Sequence, residues 1–446
     1  MSVTLRIAAI AVCAAANVAL AEGPHTYTLS EAVDLALSQN PSLTAVRREA
    51  GASRAGAGSA RGHLLPVVKL GFTYDYVRAN EGLNLGAFSA PSASGEASPP
   101  YRINFWGGDF NVTVAQPVLG LLHIGQDFAA ADRAADASQA NVSTGEQDLR
   151  TNVELGLLQL FQARAEKGIA QASHDQLADQ LKVAQAEYKD GALTNADVLR
   201  FQVAAANAAQ QVIQAQVDED NAKDQLLGLL GLLNEDRSTI EFADPTEDLG
   251  RRELPKESDR DLQGFAEGHR PELIAAQDTA DAAWHRKQSG FLKLLPEFNV
   301  SYSYYRLINV PSAFPTDINL FGLGASWNVW DWGATYFAAR SAGEELEVAS
   351  AQRESLRQQV DVEVRTRGAQ ERAAASAVQV ASDTIAQAEE AFRVTQATVK
   401  AGAATTTDLL DAQAALTQAR LNLVRSRYQE LRARTALFRA LGSAQG

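Results

Sequence analysis

The sequence predicts a mainly α-helical chain that carries two β-hairpins and is built as a tandem repeat. Three observations predict this. Prolines stand at only 13 of 446 positions, and none lies between Pro117 and Pro245 or after Pro315, which leaves the uninterrupted stretches that long helices require. Segments after Pro66 and Pro296 alternate apolar and polar residues with a period of two, the pattern of a strand with one apolar face. Landmark residues also recur at fixed offsets along the chain, which marks an internal repeat.

Residues 1–21 hold one basic residue, Arg6, then an apolar, Ala-rich run that ends in Ala19-Leu20-Ala21. This reads as a secretory signal peptide cut before Glu22. A membrane anchor is the rival reading, but the run is short for the roughly 30 Å of hydrocarbon in a bilayer. The only cysteine, Cys13, follows Ala11-Val12 and lacks the small residue that a lipoprotein signal places directly before its cysteine. A mature chain would contain no cysteine, which excludes disulfide scaffolds and thiolate metal sites. Beyond the signal no apolar run approaches the ~18 residues of a transmembrane helix, so any entry into a membrane must use strands.

The repeat organises the rest. Ser30 through Leu43 aligns with Arg260 through Leu273, and Leu64-Leu65-Pro66 with Leu294-Leu295-Pro296, both at an offset of 230. Phe72 and Tyr74 fall on Tyr302 and Tyr304 at the same offset. Later, Lys189, Gly191, Thr194, Asp197, Leu199 and Gln202 match Lys400, Gly402, Thr405, Asp408, Leu410 and Gln413 at an offset of 211. The second copy is thus 19 residues shorter, and the segment 80–101, dominated by Ala, Ser, Gly and Pro, reads as the longer loop of the first. The boundaries expected are 22–250 for the first copy and 251–446 for the second, within one domain.

Each copy reads helix, two strands, long helix, turn, helix. Val68, Leu70, Phe72, Tyr74 and Tyr76 form the apolar face of the first outgoing strand, and Phe110, Val112 and Val114 that of its return. Phe298, Val300, Tyr302 and Tyr304 mark the second outgoing strand. Its return is expected from about Leu320 to Trp330. Four of the five tryptophans, Trp106, Trp327, Trp330 and Trp332, sit at or near strand ends, as in aromatic belts at lipid interfaces. Water-facing sheets over a core use aromatics too, so this alone does not settle the environment.

Between about Leu119 and Tyr188 lie roughly 70 residues, a rod of about 105 Å at 1.5 Å per residue. The stretches from about Ser30 to Arg61 and Thr194 to Leu230 together span a similar length, so one long helix could lie beside two stacked shorter ones. Ala and Gln dominate, with Leu and Val at three- and four-residue steps, the narrow seam of coiled-coil-like packing. A periplasmic or surface coiled-coil structural or interaction protein is therefore the alternative reading.

Two hairpins cannot close a barrel, and an open sheet edge in lipid leaves backbone groups unpaired at several kcal/mol each. The smallest transmembrane barrels have about eight strands, so strands that enter a membrane must be pooled from several chains. A net charge of −14 offers no basic footprint for nucleic acid. The six histidines are scattered, and no nucleophile elbow, P-loop or paired-carboxylate motif sits in a suitable context. Catalytic, cofactor-binding and metal-binding candidates are therefore all absent.

The sequence L-S-E-A-V-D-L-A-L-S-Q-N-P at 29–41, the duplicated Leu-Pro before each outgoing strand, and the G-A-x-T-x-x-D-[VL]-L-x-x-Q turn in both copies resemble the TolC-like outer-membrane efflux family. The resemblance covers essentially Tyr27 to Gly442. It implies a homotrimer in outer-membrane lipid, with a 12-stranded transmembrane β-barrel of four strands per chain and a long periplasmic α-helical barrel continuing it. The implied role is a passive exit duct of a tripartite efflux or type I secretion system, joined by a periplasmic adaptor to an inner-membrane pump.

The two turns are the candidate functional residues. Gly191 and Gly402 permit chain reversal because glycine accepts positive φ, Thr194 and Thr405 can cap the next helix, and Asp197 and Asp408 stand three residues on as capping-box partners. The resemblance implies that these turns form the periplasmic tip where an adaptor docks. Asp408 and Asp411 share one helix face, and the resemblance implies that they face the tunnel as rings of negative charge, a gate that favours cations. A pair of solvated helix-start acids is the plain alternative. Arg200 stands where the second copy has Asp411, with no constellation around it. Val399 and Ala404 replace a tyrosine and an arginine that link the closed helices in the family pattern.

Overall fold

The computed structural model describes residues 25–79, 103–252, 259–310 and 315–442. The proposed signal peptide and the segment 80–101 lie outside them. Nine α-helices and six strands are present among the described residues. In chain order they are β1 (His25–Tyr27), α1 (Leu29–Gln39), α2 (Pro41–Gly62), β2 (Val67–Ala79), β3 (Ile103–Pro117), α3 (Leu121–Lys189), α4 (Asn195–Leu230), β4 (Ile240–Phe242), α5 (Thr246–Gly250), α6 (Asp259–His269), α7 (Pro271–Leu292), β5 (Glu297–Ile308), β6 (Asp317–Ser326), α8 (Ala334–Lys400) and α9 (Thr406–Ala440). The two proline-free stretches become the 69-residue α3 and the 67-residue α8.

The stretch expected as one helix near 30–61 is two. Asn40 is extended (φ −64°, ψ 122°), because the ring of Pro41 disfavours helical dihedrals in the residue before it. Arg270 is likewise extended (φ −81°, ψ 119°) before Pro271. A capping box at Thr28 and Glu31 starts α1, and the Asn40 amide donates to Leu229 O at 3.0 Å, fixing the break against α4. The sequence reading also passed over β1 and β4, three-residue strands that pair in parallel, His25 with Ile240 through Tyr27 with Phe242.

The chain divides into two compact units, each drawn from separated stretches. The described residues of the first fall within Met1–Pro41, Asp148–Lys256 and Arg367–Arg439, and those of the second within Ser42–Gln147, Glu257–Thr366 and Ala440–Gly446. In the first unit Val153, Leu157, Leu158 and Leu160 of α3 are buried with Leu226, Leu227 and Leu230 of α4, Ile240 and Phe242 of β4, and Leu249 of α5. Glu154, 3% exposed, is held by Arg252 through two bonds of 2.6 and 3.0 Å. Removing one partner of such a pair strands the other charge in the interior, at about 3–5 kcal/mol.

The second unit contains the main sheet, antiparallel throughout, in the order β2-β3-β5-β6. At the start of α7, Arg270 is 7% exposed and joins α7 to α8 by a 2.5 Å bond to Glu363. The last strand ends at Ser326, four residues before the expected Trp330, and the backbone turns there towards α8.

Candidate functional site

The sheet is built with its polarity reversed relative to a water-facing sheet. Successive side chains on a strand point to opposite faces, and the register aligns like with like. Val68, Val114, Tyr302 and Phe321 stand in one cross-strand row, and Leu70, Val112 and Tyr304 in the next. The opposite face carries Lys69, Thr113 and Ser303, with a Thr113–Ser303 hydroxyl bond of 3.0 Å, and Gly71, Asn111 and Tyr305. It is the apolar face that is bare: Leu70 is 71% exposed, Phe72 63%, Phe321 81% and Leu323 88%. A row of this kind costs roughly 25 cal/mol per Å² in water and is favourable against hydrocarbon. Among the described residues, both edge strands, β2 and β6, have one side without a partner strand.

The two turns lie together in the first unit. Gly191 (φ 80°) and Gly402 (φ 73°) adopt the left-handed conformation, and the amides of Ala192 and Ala403 reach back to Glu187 O (2.8 Å) and Thr398 O (2.9 Å), which satisfies carbonyls at the helix ends. Thr194 and Asp197 cap α4 reciprocally: the Thr194 hydroxyl donates to the Asp197 carboxylate at 2.6 Å and accepts from its amide at 3.3 Å. Thr405 and Asp408 repeat this on α9 at 2.7 and 3.2 Å. The threonine hydroxyls hold both carboxyls below the usual carboxylate range. Beneath the turns Ala184, Phe201 and Leu409 are buried, with Leu193, Phe392 and Val399 packed on them. Val399 thus joins an apolar cluster.

Asp408 and Asp411 are both exposed while Leu409 is buried, so the acidic pair points away from the packed cluster. Asp197 is situated differently. Arg200 lies 3.6 Å from it and donates to the Thr407 hydroxyl at 3.0 Å, and Thr406, buried at the start of α9, also bonds Asp197. Arg200 therefore ties the two turns together, although the sequence showed no constellation around it. Its partner is 207 positions away, beyond any local pattern.

No helix among the described residues is long and apolar enough to cross a membrane, and no cluster of His, Cys, Asp and Glu there could hold a metal ion. A bare apolar sheet with a polar reverse face, joined to very long helices, defines a membrane β-strand protein with a large water-borne helical portion. The profile of the outer membrane efflux protein family matches residues 32–232 and 265–443, and the chain belongs to that family. It is 23% identical over 318 residues to the outer membrane efflux protein BepC of Brucella suis, spanning 71% of this chain and 68% of that one. It is 24% identical over 443 residues to the pyoverdine export outer membrane protein OpmQ of Pseudomonas putida, spanning 93% and 85%. The crystal structure of the outer membrane protein VceC of Vibrio cholerae superposes with a TM-score of 0.79 at 18% identity, covering 93% of this chain and 96% of that one. The chain is an outer-membrane efflux channel protein.

Proposed function

We propose that three copies of this chain pool twelve strands into one barrel through the outer membrane, and that their helices continue it as a periplasmic tunnel. The assembly is the passive exit duct of a tripartite efflux or type I secretion system, receiving cargo from an inner-membrane pump through a periplasmic adaptor. The observation that carries this reading is the four-stranded sheet with an exposed apolar face and, among the described residues, two unpaired edges, which is stable in lipid only when closed. The coiled-coil scaffold reading gives no account of that face. The element order supports two copies, 22–250 and 251–446, in a single domain after a signal peptide at 1–21.

Within this duct, Asp408 and Asp411 of the three copies form the acidic periplasmic gate. Their exposure beside a buried Leu409 supports the assignment. Gly191, Thr194, Asp197, Gly402 and Thr405 shape the turns on which the adaptor docks. The function is tested by adding the purified mature protein to planar lipid bilayers: stepwise ion conductance is expected, and its absence from correctly inserted protein would overturn the duct.

A further inference from the structure

The first unit contains a cavity of about 290 Å³ between α3, α4 and α9 that no part of the proposed duct uses. Ala204 and Ala208 on α4 and Ala414 on α9 present only methyl groups to it, which leaves the space open. Its floor is Gln413, 2% exposed, together with Ser173, Leu177 and Ala208, which are also buried. Asn207, Gln211, Ala414 and Gln418 form an exposed rim.

The polar groups of the floor are out of balance. Gln413 Nε2 donates to Gln176 Oε1 at 3.0 Å. The Thr417 hydroxyl donates to the Gln413 backbone carbonyl at 3.0 Å, so towards Ser173 Oγ, 3.3 Å away, it is the acceptor. Both hydroxyl protons are thereby committed, since each hydroxyl carries one. Gln413 Oε1 is buried and, among the described residues, meets no donor. Folding has removed this oxygen from water and left it unpaired, at the cost of its desolvation. Such an atom in a native protein calls for a donor from outside the chain.

The lining specifies that donor. Among the described residues no Asp, Glu, Lys, Arg or His lines the cavity, so a charged occupant would be buried without a counter-charge. Leu177, Leu410 and Leu421 supply apolar wall, and the volume stands at the lower end of the roughly 300–1,000 Å³ of small-molecule sites. We propose that this cavity binds a small neutral molecule with an apolar body and a hydroxyl or N–H group that donates to Gln413 Oε1. Phenols are the simplest members of this class. Leu410 and Gln413 stand on either side of Asp411 in the sequence, so an occupant rests against the turn of α9 that carries the acidic pair and braces it on α3 and α4. Binding itself does not depend on the gate.

Protection of an engineered thiol tests the site. The one natural cysteine, Cys13, lies in the proposed signal peptide, so a new cysteine in the purified mature protein reports on its own surroundings. Ala414→Cys places a thiol on the rim, and its alkylation by iodoacetamide is followed as phenol or anisole is added. Anisole keeps most of the shape of phenol but has no donor. Ser350→Cys, exposed on α8 and outside the cavity, controls for general effects of either solute.

Phenol is expected to slow alkylation of Ala414→Cys saturably, with half-saturation at about threefold lower concentration than anisole, the advantage that one neutral hydrogen bond allows. Adding Gln413→Leu is expected to remove that difference. Because Gln413 also bonds α3, Ala204→Phe serves as a second variant: it fills the cavity from α4 and is expected to abolish slowing by both solutes. Equal half-saturation by phenol and anisole, or a difference that survives Gln413→Leu, would overturn the recognition by Gln413. No slowing by phenol, as when water alone occupies the cavity, equal slowing at Ser350→Cys, or slowing that persists with Ala204→Phe would overturn the site.

Discussion

At the scale of single residues, the two turns use the same chemistry but differ in what their acids are left free to do. Asp197 is engaged by Thr194, Thr406 and Arg200, whereas among the described residues Asp408 bonds only its capping threonine, and Asp411 stands one turn further along the exposed face. Carboxyls depressed in the folded state add stability that is complete above the unfolded value, about 3.9 for Asp, and lost as pH falls through the folded value. Both caps are therefore at full strength at neutral pH, where the block is measured. Asp408→Asn with Asp411→Asn is expected to weaken block of the channel by polyvalent cations at least about tenfold. Unchanged block in conducting channels would remove the gate assignment. The glycines, threonines and acids of the turns were legible because capping spacing is local. Arg200 was not, because Thr407 reaches it only through the packing of α4 on α9.

At the scale of elements, each turn depends on one glycine whose dihedrals other residues resist. A Cβ at Gly191 or Gly402 would meet nothing within 4 Å, so substitution there tests conformation alone. Gly191→Ala and Gly402→Ala should each cost about 1–2 kcal/mol, which raises hydrogen exchange of the turn amides, Ala192 and Ala403, roughly 5- to 30-fold. Exchange at the wild-type rate would mean that the left-handed conformation is not what holds the turn. The long helices and four long strands were readable because their periods of 3.6 and 2 run for many residues. The strands β1 and β4, three residues each, are too short to show a period and exist only by pairing with each other. Asn40-Pro41 and Arg270-Pro271 were visible as repeat landmarks, but their effect on the preceding residue divides what alternation of Ala and Leu presents as one helix.

At the scale of the whole molecule, the sheet requires closure. Its apolar face is exposed and, among the described residues, its two edge strands each lack a neighbour, and in lipid each unpaired backbone group costs several kcal/mol. Period-two alternation showed this face in the sequence, but not which copy covers which edge, since that depends on register between β2 and β6, strands more than 200 residues apart. The most direct test is the detergent-corrected mass, by light scattering, of the mature protein extracted from outer membranes. A mass of three chains is expected. A monomer extracted without denaturation would contradict the pooled barrel and the duct built on it.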